Sequence, residues 1–393
     1  MSTVQNGDLS GMSGEFSEET IGPDLYAGTS GIAVFLGDMF ARTGTRSFAR
    51  IAEAASRFAL ARLDLIPRRF RIGFYAGDIG VAYAAFRVGR CIDRPDLVEQ
   101  ATRLLDSLAT DALDDSVLDV ISGAAGAITP LFLLGDWHGG GRWDPLAHRL
   151  GERIMAAAHR HDDAWSWGED ATGFVTDRDL TGFGHGAAGI GWSLLELFAR
   201  SGDTRYRDAG LRAFGFENRW FDAARDNWPD FRFVRDDDEA APFGLAWCLG
   251  APGIGLSRIR ALAICPSADL RRDAEAAIRA VARRMRATTS LGTEDFSLCH
   301  GWAGIGDFLM DADRALPETD AGHLLETIAV DGAAHNSTSP EKWHSGMQRG
   351  YSPSLMLGLA GVGYFYLRLA DSAVPSILLP TPSPTAAQDS PDS

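Results

Sequence analysis

The chain has 393 residues, 45% of them hydrophobic, enough to bury a large core as one repeat-built unit or as two ordinary domains. Its 53 acidic and 37 basic residues give a formal net charge of −16 with no Lys- or Arg-rich stripe, which argues against nucleic acid as a partner. Met1 to Asp24 has neither the basic start nor the apolar middle of a secretory signal, and the longest apolar stretches, such as Ser354 to Leu369, break well before the roughly 18 to 20 residues that span a bilayer. A cytoplasmic protein without a membrane span is expected.

In chain order, one short pattern occurs seven times: a turn ending in Gly, two residues, a second Gly, then an apolar run. The copies are YAGTSGIAVFL from Tyr26, YAGDIGVAYAAF from Tyr75, ISGAAGAITPLFLL from Ile121, GHGAAGIGWSLLEL from Gly184, CLGAPGIGLSRI from Cys248, CHGWAGIGDFLM from Cys299 and LGLAGVGYFYLRL from Leu357. Their first glycines are Gly28, Gly77, Gly123, Gly186, Gly250, Gly301 and Gly358, so a unit leaves room for two helices and two loops. The runs after the glycines are apolar nearly all round and predict an inner ring of helices packed on every side. Ser47 to Leu63, Leu97 to Leu113, Asp203 to Phe216 and Asp269 to Ala287 are amphipathic and predict outer helices. Glycines at the inner-helix starts would let backbones converge and leave free N–H groups pointing into one shared mouth.

Residues 1–23 form a polar N-terminal segment, 24–379 the all-α double ring, and 380–393 a tail rich in Pro, Ser, Thr and Asp that is expected to be disordered. The seventh outer helix has no evident source. Gly184-x-Gly186-x-x-Gly189 matches a dinucleotide fingerprint, but no buried strand precedes it and the other copies explain the pattern.

Two copies place metal-type residues directly before the first glycine: Trp247-Cys248-Leu249-Gly250 and Leu298-Cys299-His300-Gly301. Cys248, Cys299 and His300 form a Cys2His set that leaves a fourth tetrahedral position open, the pattern of a catalytic zinc; the alternative is two buried thiols and a loop histidine. Two thiolates and a neutral imidazole bring Zn2+ to about zero charge and keep a bound sulfur nucleophilic, which suits thiol alkylation better than water activation. His185 stands before Gly186 as His300 stands before Gly301, and a histidine facing the same cavity can exchange a proton at neutral pH. Asp119 in the third copy either orients a proton donor or binds backbone amides at the helix start. Cys91 and Cys265 are expected to be ordinary buried thiols, which with the metal-like neighbours of the other two favours a reducing compartment.

WCLGAPGIGL, SLCHGWAGIG, GFGHGAAGIG and LDVISGAAG resemble the signature segments of the LanC-like lanthionine cyclases, from Asp24 to about Pro380, and the chain's end is similar to that of the cyclase half of LanM-type lanthipeptide synthetases. The resemblance implies an (α/α)7 toroid with Zn2+ on Cys248, Cys299 and His300. It implies a reaction in which a peptide cysteine adds to a dehydroalanine or dehydrobutyrine of the same peptide to give a thioether, with His185 as acid/base and Asp119 assisting it. The implied partners are a dehydrated precursor peptide and a separate dehydratase. Two positions depart from the family pattern: Leu249 replaces a usual Tyr or His, and Pro242 to Trp247 lacks the Arg often found there. Three other readings follow: addition of a different thiol to an electrophile, a non-catalytic zinc-containing peptide-binding partner of modifying enzymes, and a toroidal glycosidase. The last would need a carboxylate facing Asp119.

Overall fold

The computed structural model describes residues 21–112, 115–232, 234, 240–336, 343–346 and 352–381. Seven inner helices are α1 (Thr29–Thr43), α3 (Asp78–Cys91), α5 (Ala124–His138), α8 (Ala187–Ser201), α10 (Ala251–Ile264), α12 (Trp302–Ala315) and α14 (Leu359–Ala370). Each packs on the next, and α14 packs on α1, which closes the ring. The outer helices α2 (Arg46–Ala61), α4 (Pro95–Thr110), α6 (Asp144–Ala156), α9 (Thr204–Arg219), α11 (Ala268–Ala287) and α13 (Ala321–Asn336) each pack on the inner helix before them. A hairpin, β1 (His159–His161) with β2 (Ala164–Ser166), and the one-turn α7 (Glu169–Thr172) lie between α6 and α8.

The two layers differ as their sequences require. In α8 every residue from Ala187 to Leu197 is buried, whereas α9 buries one face, including Tyr206, Ala209, Ala213 and Phe216. The resulting core is continuous around the ring, and each fully buried Leu, Ile or Phe in it contributes about 1.5–3 kcal/mol. The predicted outer helices form, although α2 ends at Ala61 before Leu63, and α4 ends at Thr110 before Leu113, which lies outside the described residues.

All seven first glycines are the N-caps of the inner helices. Sterics explain their identity: a Cβ on any of them would lie 2.1–2.5 Å from a backbone atom of its own loop. A Cβ on any second glycine would lie 1.8–2.3 Å from the carbonyl six residues earlier. Each loop folds back against its helix start, and this corrects the expectation of free N–H groups. The first N–H of six inner helices donates to the carbonyl seven residues back, at 2.8–3.1 Å, as Ala187 does to Leu180 and Trp302 to Asp295.

The residues two places before the first glycines are joined by main-chain hydrogen bonds into a closed circle. Tyr26 donates to Tyr75 (2.9 Å), Tyr75 to Ile121 (3.2 Å), Ile121 to Gly184 (3.3 Å) and Gly184 to Cys248 (2.8 Å). Cys248 then donates to Cys299 (3.4 Å), Cys299 to Met356 (2.9 Å) and Met356 back to Tyr26 (2.9 Å). Below this circle the chain after α14 turns into the ring. Ile377 and Leu378 are fully buried, and their carbonyls accept from the Tyr75 hydroxyl (2.8 and 3.3 Å), with Trp247 Nε1 also donating to Leu378 (3.1 Å). Tyr75 and Trp247 belong to the second and fifth units, so this segment fills the axis. Six outer helices are present among the described residues. The predicted N-terminal segment and tail fall almost entirely outside them.

Candidate active site

The circle explains why the two sequence-selected cysteines meet. Cys248 and Cys299 hold equivalent places in adjacent units, and the main-chain bond between them sets their sulfurs side by side. The Cys248 loop is tight: Ala246 N–H donates to Leu249 O at 3.1 Å, and Gly250, alone among the first glycines, has a left-handed φ of 71°. A Cβ there would meet the Gly244 carbonyl at 2.1 Å. Leu249 packs partly buried against Gly244.

Both thiols are buried, and they form a polarised pair. Cys248 is lowered to about 6 by a hydrogen bond from Cys299, against the cost of burial, with Arg232, His300 and His185 adding positive field. Cys299 is pushed well above the usual thiol range by burial and by the same shared hydrogen bond. The Tyr26 hydroxyl donates to Cys299 Sγ at 2.8 Å. Burial and the two sulfurs raise that hydroxyl well above the usual phenol range, so it stays protonated. Arg232 is held by Asp230 through Nε (3.0 Å to Oδ1) and Nη2 (2.9 Å to Oδ2) and carries the positive charge beside the sulfurs.

The His300 ring points elsewhere. Its side chain is 40% exposed and Nε2 lies 3.2 Å from Asp295 Oδ2, beside Trp302 and Arg284 in a cavity of about 350 Å³. Among the described residues no group of three or more His, Cys, Asp or Glu side chains is disposed to hold a metal ion. The structure thus brings together two of the three sequence-selected ligands and places the third in the adjoining loop with its ring on Asp295.

His185 and Asp119 meet directly: Nδ1–H donates to Asp119 Oδ2 at 2.5 Å, with both side chains at most 5% exposed. Asp119 Oδ1 accepts from the Ser122 N–H at 2.7 Å, in the loop before the Gly123 N-cap rather than at the helix start, so Asp119 bonds both the histidine and a backbone amide. Phe174 covers the imidazole, ring centroids 4.6 Å apart. With Nδ1 engaged, Nε2 is the nitrogen left for proton exchange. The loop is held from outside by Glu217 on α9, whose Oε1 accepts from Gly182 N (3.0 Å) and Ala188 N (2.8 Å). Asp119 is thus engaged by a histidine, the opposite of what the glycosidase reading needs.

Tyr26, Arg232, Asp295 and Glu217 were not singled out by the sequence. Tyr26 alone carried a signal, since alignment of the seven copies sets it in the column of Cys248 and Cys299. Cys91 and Cys265 are only partly buried, contrary to expectation: Cys91 is the last residue of α3 and Cys265 caps the end of α10. All four cysteines are free. Gly184, Gly186 and Gly189 serve the same loop return as the other copies, so the nucleotide fingerprint has no separate structural meaning. No described helix is long and apolar enough to cross a membrane.

The solved structure of nisin cyclase resembles the fold with a TM-score of 0.64 at 16% identity, covering 90% of each chain. A GH76 α-mannanase from Bacteroides thetaiotaomicron superposes less well, with a TM-score of 0.46 at 11% identity over 88% of this chain and 85% of its own. No curated protein sequence matches. The profile of lanthionine synthetase C-like proteins matches residues 19–379, most of the chain, which therefore belongs to the lanthionine synthetase C-like family.

Proposed function

We propose that the protein is a zinc-dependent lanthionine-type cyclase that adds cysteine thiols of a dehydrated precursor peptide to dehydroalanine or dehydrobutyrine in the same peptide. The observation that carries this reading is the adjacency of two polarised thiols, Cys248 and Cys299, to a loop whose histidine, His185, is oriented by Asp119. Membership of the family and the nisin cyclase fold agree with it.

The donor set suits zinc in kind: two sulfurs, one already favoured as thiolate, and the imidazole of His300 next in sequence to Cys299. Cys248, Cys299 and His300 would hold the ion, and Asp295 would orient His300 as outer carboxylates orient ligand histidines. Bound zinc would lower the pKa of an incoming thiol while its two thiolate donors keep that sulfur electron-rich. The peptide sulfur forms a bond to the β-carbon of the dehydro residue and the double bond becomes an enolate. His185, fixed by Asp119, delivers a proton from Nε2 to the α-carbon and later takes up the one released by the next thiol. Arg232 supplies positive charge beside the sulfurs as negative charge moves toward the carbonyl. A separate dehydratase supplies the dehydro residues, and the four free cysteines fit a reducing, cytoplasmic setting.

Elemental analysis of the wild type and Cys299→Ala, followed by incubation with a dehydrated cysteine-containing peptide, tests the proposal. Cyclisation leaves peptide mass unchanged and removes one maleimide-reactive thiol per ring. About one zinc per chain, absent from the variant, together with enzyme-dependent thiol loss is expected. A folded wild type that takes up no zinc after reconstitution would overturn it.

A further inference from the structure

Tyr26, Cys248 and Cys299 occupy the same place in three units of the main-chain circle, and the side chain of Tyr26 reaches past the seventh unit to the sixth. Its backbone is fixed on both sides: Tyr26 N–H donates to Tyr75 O at 2.9 Å and its carbonyl accepts from Met356 N–H at 2.9 Å. From that anchorage its buried hydroxyl lies 2.8 Å from Cys299 Sγ. The contact is specific to this tyrosine, because the equivalent Tyr75 directs its hydroxyl to the Ile377 carbonyl at 2.8 Å instead.

We propose that Tyr26 is a positioning residue for Cys299: its hydroxyl fixes Cys299 Sγ beside Cys248, favours its thiolate form and withdraws electron density from that thiolate. An O–H donor on a sulfur lowers its nucleophilicity and its donation to a metal. The role within the enzyme rests on the zinc cyclase reading, and there it has a clear use. A dehydroalanine peptide is an electrophile that alkylates any exposed thiolate, joining sulfur to the β-carbon and placing a proton on the α-carbon. A cyclase must therefore quiet its own sulfurs while activating the substrate's.

The test compares full-length wild type, Tyr26→Phe and, as a control at the equivalent place, Tyr75→Phe, each checked for native helicity. Metal-stripped proteins are treated with iodoacetamide, and the ratio of modification at Cys299 to Cys248 is read by peptide mass mapping. The same proteins are loaded with Co2+ and the thiolate-to-metal charge-transfer band is recorded, with zinc affinity from chelator competition. Tyr26→Phe is expected to lower the Cys299 share severalfold, move the band to longer wavelength and change zinc affinity by about tenfold, with Tyr75→Phe like wild type. An unchanged alkylation ratio and band in Tyr26→Phe would overturn the proposal while leaving the zinc reading intact. If the wild type itself takes no metal, the zinc reading falls and the alkylation ratio alone decides the role of Tyr26.

Discussion

Gly184 donates its N–H to the carbonyl of Cys248 at 2.8 Å, so the loop that carries His185 is fastened to the residue that carries a thiol. A methyl group at position 184 would sit 3.0 Å from Cys248 Cβ, 3.1 Å from Ile121 Cδ1 and 3.2 Å from the Cys248 carbonyl. Gly184→Ala should therefore part the two loops at a cost of about 1–3 kcal/mol, by overpacking. Turnover is expected to fall about tenfold or more, because proton donor and sulfur lose their alignment. Wild-type turnover in a folded Gly184→Ala protein would show that this approach does not set the position of His185.

The His185–Asp119 pair makes a separable prediction. His185→Ala removes the proton donor but no proposed zinc ligand, so zinc content should stay at the wild-type level while kcat falls by about 10²–10⁴. Asp119→Asn keeps an oxygen for the Ser122 N–H but loses the charge that holds Nδ1–H, and is expected to lose about 10² of that rate. Single-turnover assays with peptide in excess over its dissociation constant read both effects. Near-normal turnover in His185→Ala would remove His185 from the mechanism.

Glu217 gives the fold a pH signature. Burial raises its carboxyl from 4.5 to about 7, against the opposing field of Arg258 and the bonds from Gly182 and Ala188; Asp273 adds to the rise. Because the folded pKa is the higher one, its stabilising contribution is full below about pH 4.5, where both states are protonated. It is lost as pH rises to about 7, while the unfolded chain releases the proton and the folded one keeps it. The change amounts to about 3 kcal/mol across that window. Glu217→Gln cannot titrate, so its stability relative to wild type should climb from pH 4.5 to 7 and then level off. Urea unfolding of both proteins at several pH values checks this, and parallel curves would contradict it.

What the sequence made legible follows from which constraints are local. The double glycine is a steric requirement of a loop folding back on its own helix, repeated seven times, so both the ring and its inner helices could be read directly. Cys248 and Cys299 were legible as a pair because equivalent places in adjacent units must touch. Free helix N-termini were a misreading, since those glycines admit the loop's own carbonyls, as Leu180 shows at Ala187. Tyr26 stood in the right column but reads as packing, because a tyrosine in an apolar run gives no hint of where its hydroxyl ends. Arg232 lies in an irregular stretch and Glu217 on an outer helix, and neither position has a periodicity that points inward. The orientation of the His300 ring toward Asp295 is a rotamer, which spacing does not encode.

The segment that fills the ring axis ties the chain's end to the thiol loop. Ile377, Leu378 and Leu379 are at most 5% exposed, and Ser376 Oγ donates to Asp307 Oδ1 at 2.7 Å. Tyr75 and Trp247 both bond its carbonyls, and Trp247, which donates to Leu378 O, immediately precedes Cys248. A stop after Pro375 should cost about 5 kcal/mol or more from the three apolar side chains alone. It also strips Tyr75 and Trp247 of their acceptors and frees the Cys248 loop from below. A stop after Thr381 removes only residues 382–393, rich in Pro, Ser and Asp, and should leave the melting temperature unchanged. Thermal unfolding of the two truncations, with iodoacetamide mapping of Cys248 at low temperature, separates the effects. Faster alkylation of Cys248 in the shorter protein below its transition would show that the axial segment braces the thiol site, whereas equal stability of both truncations would mean that the ring holds its floor without it.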